Sequence, residues 1–319
     1  MGEILSGMEL TPKQIARTLF APTVFSRDDL LSRGFSPRQL TTAVRSGRLK
    51  RLRRDRYARP EVPLEIAEAV RIGGRLTCLS LLKLLGIFVL DVTKAHVHVP
   101  RNSSRLTAPT GGTCRLHWGL TSSAEPRHVT PLNDAIRHSL RCQTSRASLA
   151  TLDSLVHHRV VTMTQLETIF LDLPSRFHAL LRLIDPSAAS GPETFVRLML
   201  RTLGVPYETQ VEIPGVGFVD FLVDGWLIIE CDSKEFHEGW GKQKEDRYRD
   251  LAAARLGYMT IRPLASDVLY RAAEVQEALR QIIEVLGPRF SPQSRSVLRK
   301  NPPRRGRLRV SGFDSTKDS

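Results

Sequence analysis

"VDFLVDGWLIIECDSKEFH", residues 219–237, is the stretch on which the reading of this chain turns. Two apolar runs flank Asp224-Gly225. The second ends in Glu230, Cys231 and Asp232, and His237 follows five residues later. Side chains on a strand alternate between faces, so Ile228, Glu230 and Asp232 share one side and Leu227, Ile229 and Cys231 the other. Asp220 lies in the first run, among Val219, Phe221 and Leu222. A carboxylate in such a run is costly unless it is paired or metal-bound. Register then decides. A two-residue turn at Asp224-Gly225 sets Asp220 against Ile229. A three-residue loop, Asp224 to Trp226 with Gly225 left-handed, sets Asp220 against Glu230, and a shared metal site needs that second arrangement.

The neighbouring sequence supplies a frame. Ser190-Gly191-Pro192-Glu193 opens a helix with Phe195, Leu198, Met199, Thr202 and Leu203 on its buried side and Gly204 as its stop. Strands follow at 207–213, 218–223 and 226–232. A helix covers 242–256, a strand 258–262 and a closing helix 266–286, giving the order α-β-β-β-α-β-α. Glu193 completes a capping box with Ser190, which explains it without any catalytic role, and it also lies within reach of the strand acids.

This order, with Asp220 and then Glu230-x-Asp232, resembles the PD-(D/E)XK nuclease superfamily, and more narrowly the domain family related to very-short-patch-repair endonucleases. That family's run "E-x-D-G-x-x-x-H … D-x-x-R-x-x-x-L-x-x-x-G-x-x-x-x-R" corresponds to Glu230, Asp232, Ser233, His237, Asp246, Arg249 (or Arg247), Leu251 or Leu256, Gly257 and Arg262. Ser233 replaces the usual Gly, and Asp232 stands where a conventional member has the Lys of E-x-K; Lys234 is the nearest ammonium of the same parity. The resemblance implies a restriction-endonuclease-like core over 187–287 that hydrolyses phosphodiester bonds in DNA. Its metal ligands would be Asp220, Glu230 and Asp232, its cofactor Mg²⁺ or Mn²⁺, and its catalytic set would add His237 and Glu193. A proton would pass through His237. Arg247, Arg249 or Arg262 would neutralise phosphate charge.

Charge places a second function at the other end. The chain carries a formal net charge of +14. Residues 10–60 hold 13 Lys/Arg against 3 Asp/Glu, and residues 288–319 hold 9 against 2, so the rest is close to neutral. Basic character concentrated at the two ends favours a polyanionic partner, nucleic acid before a membrane. Three helix starts succeed one another at Thr11-Pro12-Lys13-Gln14, Ser26-Arg27-Asp28-Asp29 and Ser36-Pro37-Arg38-Gln39. The third helix presents Arg38, Thr41, Thr42 and Arg45 opposite Leu40, Ala43 and Val44, a pattern suited to a major groove. "RLKRLRRDRYARP", residues 48–60, forms a hairpin anchored by Leu49, Leu52 and Tyr57. Its remaining positions, Arg48, Lys50, Arg51, Arg53, Arg54 and Arg56, suit phosphate contact.

Residues 10–60 resemble the winged-helix domain of AbiEi-type antitoxins, whose wing "G-x-L-x-R-x-R-x-x-x-Y" corresponds to Gly47 through Tyr57. The resemblance implies a transcriptional autoregulator, with DNA, a cognate toxin and a second copy of the chain (a homodimer) as partners. The expected architecture is therefore mixed α/β and multi-domain. It comprises a winged helix at 10–60, an α+β, mostly helical connector at 61–186, an endonuclease-like core at 187–287 and a disordered basic tail at 288–319. The alternative reading is an antitoxin-type regulator whose nuclease fold is catalytically inactive; an RNA-processing or membrane-surface role driven by the basic ends ranks third.

In the connector, 61–85 is helical and broken at Gly73-Gly74, 101–112 is loop, and 131–183 holds several helices. Pro186–Pro192 is expected to be a linker. "AHVHVP", 95–100, alternates as a strand with His96 and His98 on one face. Two histidines at that spacing can ligate a metal, but no third ligand is near in sequence, so a polar strand face is the reading adopted. Cys78, Cys114, Cys142 and Cys231 show no CxxC spacing, so no zinc site is expected and the cysteines point to a reducing cytoplasm. The most apolar run, Leu76–Leu90, is broken by Lys83 and too short for a bilayer, and the N-terminus lacks a secretory pattern.

Overall fold

A computed structural model describes residues 10–110, 112, 114–124, 127–231 and 240–290, with 240–243 and 288–290 described by backbone only. The chain divides into two compact units, residues 1–272 and 273–319. The secondary structure is mixed α/β.

The first fifth forms α1 (Pro12–Leu19), β1 (Val24–Phe25), α2 (Arg27–Ser32), α3 (Pro37–Arg45), β2 (Lys50–Arg53) and β3 (Arg56–Ala58). All three helices start at capping boxes, with the hydroxyls of Thr11, Ser26 and Ser36 accepting from the N3 amides and the N3 side chains accepting in return. The strands form an antiparallel sheet in the order β1-β3-β2. Phe25, Leu30, Leu40, Ala43, Leu49 and Tyr57 fill the core between sheet and helices. Asp55, at the hairpin turn with φ 59, accepts a 2.7 Å bond from the Arg27 amide and so ties the turn to α2.

The middle comprises α4 (Leu64–Ile72), β4 (Arg75–Leu76), α5 (Cys78–Leu84), β5 (Ala95–Pro100), β6 (Cys114–Gly119), α6 (Leu132–Leu140), α7 (Ser145–His157) and α8 (Met163–Leu171), then a 3₁₀ segment at Ser175–Leu183. The break at Gly73-Gly74 falls where the sequence places it. β6 is not foreseen in the sequence, and it pairs in parallel with β5, Ala95 facing Cys114 through Pro100 facing Gly119. One hydrophobic core joins this region to Leu19, Val24 and Ala58 of the first fifth.

The last segment of the first unit runs α9 (Gly191–Leu203), β7 (Tyr207–Ile213), β8 (Gly217–Val223), β9 (Leu227–Ile229), α10 (Trp240–Arg255), β10 (Met259–Ile261) and α11 (Ala265–Tyr270). The sheet order is β10-β9-β8-β7, antiparallel except for the β10–β9 pair. The single closing helix expected over 266–286 is two helices, α11 and α12 (Ala272–Phe290), separated at Arg271. The expected linker at 186–192 is packed chain instead: Ala188, Gly191 and Pro192 are buried. A Cβ on Gly191 would stand 2.2 Å from the Phe88 ring, so only glycine lets α9 start so close.

α9 is fastened to α7 by a buried ion pair. Arg197 Nη2 lies 2.6 Å from Asp153 Oδ2, with side-chain exposures of 4% and 1%. Thr194 Oγ1 and the Asp185 amide donate to the same carboxylate at 2.7 and 2.8 Å. Burial pushes the Asp153 carboxyl up even against the pull of Arg197. Among the described residues, no helix is long and apolar enough to cross a membrane. The basic tail from residue 291 lies outside the described residues.

Candidate functional site

The loop after β8 has three residues. Trp226 donates to the Val223 carbonyl, Asp224 and Gly225 are left-handed, and the recorded pairs run Val223–Leu227, Leu222–Ile228 and Phe221–Ile229. One further step sets Asp220 against Glu230. β7 sets Gln210 against Asp220 between its recorded pairs Thr209–Phe221 and Val211–Val219. One step past Ile261–Ile229 sets Arg262 against Glu230, whose amide donates to the Ile261 carbonyl. A polar row, Gln210, Asp220, Glu230 and Arg262, therefore crosses a sheet whose neighbouring positions, apart from Thr209, are apolar.

Each acid in the row has partners. Asp220 Oδ2 accepts from the Cys231 amide at 2.8 Å, and Gln210 Nε2 donates to Asp220 Oδ1 at 3.4 Å and to Glu193 Oε2 at 3.2 Å. Glu193 reaches in from the first turn of α9 and also accepts from Ser190 Oγ and the Ala189 amide. Glu230 is held by Arg262 Nη1 and, at 3.0 Å, by Arg249 Nη2 of α10. Burial raises the carboxyls of Glu193 and Glu230 above the usual range, and the charge on Asp220 adds to both shifts. Burial, then the same three acids, also pushes the Cys231 thiol up.

Asp232 and His237, with Ser233 and Lys234, lie outside the described residues. Of the arginines expected to meet phosphate, Arg249 and Arg262 are already engaged with protein groups. Arg249 also donates to the Val216 and Phe218 carbonyls, and Arg262 also pairs with Asp250 at 3.0 Å. Arg262 bridges to Glu230 and not to Asp220, its neighbour in the row.

At the other end of the unit, α3 and the β2–β3 hairpin flank an open cleft of about 740 Å³ whose lining includes Thr41, Arg45, Arg51 and Arg54. Arg38, Thr41, Thr42, Arg45, Arg48, Lys50, Arg51 and Arg54 are exposed. Arg53 and Arg56 are not free to meet a ligand in the same way. Arg53 is half-buried and donates to the Arg105 carbonyl at 3.3 Å, and Arg56 is bound to Asp55 at 3.1 Å. Lys50 Nζ is exposed but already donates to the Pro60 carbonyl.

A third constellation lies in the middle of the chain. The ligand atoms of Cys78, His96, His117 and Cys142 all fall within 4.8 Å of one another, an arrangement that could hold a metal ion. His96 Nδ1 is 3.1 Å from His117 Nε2, and Cys142 Sγ is 3.9 Å from the same nitrogen. A hydrogen bond with Cys78, joined by bonds to His117 and His96, pulls the Cys142 thiol well below its ordinary value, whereas burial pushes Cys78 up. The spacing argument against a metal site fails here. Parallel pairing of β5 and β6 sets His98 beside His117 and leaves His96 one diagonal away, a proximity sequence distance conceals. The only sequence signal was the alternating "AHVHVP". Comparison of the chain with family models and with curated proteins finds no match.

Proposed function

We propose that the chain binds DNA through α3 and the β2–β3 hairpin and carries a metal-dependent endonuclease-like domain, of restriction-endonuclease-like architecture, that hydrolyses phosphodiester bonds in DNA. The observation supporting this is the polar row across the four-stranded sheet, with Asp220 against Glu230 and Glu193 joined to Asp220 through Gln210. The donors are all oxygens, and their mutual repulsion is the kind a hard divalent cation relieves. Asp220 and Glu230, with Asp232 from its sequence position, are the residues that would hold Mg²⁺ or Mn²⁺. Such an ion supplies Lewis-acid polarisation of a phosphodiester and a more acidic bound water. Within the chain, Gln210 and the Cys231 amide orient the Asp220 carboxylate, and Arg249 and Arg262 hold Glu230 in place. His237 is the candidate for moving a proton. The basic cleft beside α3 supplies backbone affinity, and the exposed Thr41, Thr42 and Arg45 supply base contacts.

A second reading has its own support. Two guanidinium groups already neutralise Glu230, and Asp232 replaces the usual lysine. Both features suit an antitoxin-type regulator whose nuclease-like fold does not turn over, with a cognate toxin and a homodimer as its assembly. Incubation with supercoiled plasmid and Mg²⁺ or Mn²⁺ separates the two. Metal-dependent nicking that disappears in both Asp220→Asn and Glu230→Gln supports the nuclease. Promoter binding with no nicking in either metal supports the regulator.

A further inference from the structure

We propose that Cys78, His96, His117 and Cys142 form a closed, tetrahedral zinc site that staples the middle of the chain. The four ligands come from four separate places: the start of α5, β5, β6 and the turn after α6. Zinc binds thiolate sulfur at about 2.3 Å and imidazole nitrogen at about 2.0 Å, so the edges of its tetrahedron measure about 3.3–3.8 Å. The nitrogen–nitrogen separation of 3.1 Å and the sulfur–nitrogen separation of 3.9 Å lie close to that range before any ion draws the ligands in. Two thiolates and two imidazoles are a borderline-soft set that favours zinc over magnesium or calcium. Four protein ligands leave no position for water or substrate, so the site is structural.

The surroundings hold the ligands as a metal centre requires. The His96 amide donates to Ser80 Oγ at 2.9 Å, which fixes β5 against α5. The His138 ring stacks on His117 with centroids 4.7 Å apart, and its Nδ1 lies 3.0 Å from Thr77 Oγ1. Contacts of this second layer orient ligating rings. Cys78 has φ 54, a left-handed backbone that a non-glycine residue keeps only where its surroundings over-determine it. Cys78 and His96 are buried and His117 and Cys142 half-buried, so the set lies largely out of solvent. The bland alternative is a pair of adjacent thiols that oxidise to a disulfide.

The inference is independent of the nuclease reading, since it involves neither Asp220 nor Glu230. The test uses the full chain, purified in reducing buffer without metal-affinity resin and supplied with Zn²⁺. Elemental analysis is expected to find one zinc per chain, retained after gel filtration and kept by Cys114→Ser. Cys142→Ser and His117→Gln are each expected to lower it more than fivefold. Should those variants fail to fold, cobalt substitution of the wild-type chain still decides: a thiolate-to-cobalt charge-transfer band with intense tetrahedral d–d bands is expected. Zinc below a tenth of an equivalent with no such cobalt spectrum overturns the proposal. A Cys78–Cys142 disulfide, found by mass spectrometry in zinc-free protein that cannot be loaded after reduction, overturns it as well.

Discussion

Arg262→Met is the most informative single change, because in this structure an arginine and a divalent cation would compete for one carboxylate. Arg262 Nη1 contacts Glu230 Oε2, and the two side chains are 23% and 10% exposed. Two unit charges about 4 Å apart at an effective dielectric near 20 interact by about 4 kcal/mol. Arg249 remains on the other oxygen at 3.0 Å and partial solvent access weakens the pair, so about 2 kcal/mol of that competition is removed. Magnesium affinity should then rise about thirtyfold. Methionine retains most of the apolar stem, so packing against the strand changes little. Isothermal titration of wild type, Arg262→Met and Arg262→Met/Asp220→Asn with MgCl₂ measures it. The expected order is tightest for the single variant, with the gain abolished in the double. Equal affinities in the wild type and the single variant, or a gain that survives loss of Asp220, would refute the competition and the shared acidic site with it.

Three further outcomes are expected. Asp153→Asn removes one partner of the buried pair joining α7 to α9 and should cost about 3–5 kcal/mol in urea unfolding, because Arg197 is left charged and enclosed; a loss under about 1 kcal/mol would mean the pair relaxes to water. Arg45→Ala should weaken binding to duplex DNA chiefly at one base step, and Arg51→Ala should weaken it similarly for all sequences and lower the salt slope by about 1. Arg53→Ala, bonded to the Arg105 carbonyl, should change stability more than affinity, and the reverse pattern in a filter-binding series would contradict the assigned surface. Finally, the carboxyls of Glu193 and Glu230 are raised above the ordinary 4.5, so their contribution to stability is present below that value and lost as pH climbs through the raised values. Mg²⁺ should therefore raise the melting temperature more at about pH 8 than at about pH 5, and a gain that is flat or falls with pH in thermal scans would remove the acidic site from consideration.

Local chemistry made much of the fold legible. Thr11, Ser26 and Ser36 mark three helix starts because an N-cap hydroxyl acts within four residues of itself. The α-β-β-β-α-β order over 191–261 follows from period-two and period-3.6 patterns, and Gly204 and Gly257 mark helix ends at positive φ. β6 escaped although Cys114, Leu116 and Trp118 alternate with Arg115 and His117, because its partner strand is parallel and no hairpin turn announces the pairing. The stretch 186–192 has the composition of a linker, yet Phe88, distant in sequence, packs against its Gly191, and Asp153 holds the Asp185 amide just before it.

For the candidate sites, the sequence alone named the acids: Asp220 and Glu230 stand in apolar strands, where an unpaired charge is too costly to be accidental. It left the register open, because two- and three-residue loops are both compatible with "VDGW". Tertiary structure settled that choice through the left-handed Asp224-Gly225 pair and the partner strands, and it turned Arg249 and Arg262 onto Glu230. It alone assembled Cys78, His96, His117 and Cys142, since ligand convergence depends on distances through space, and parallel pairing imposes no fixed spacing along the chain.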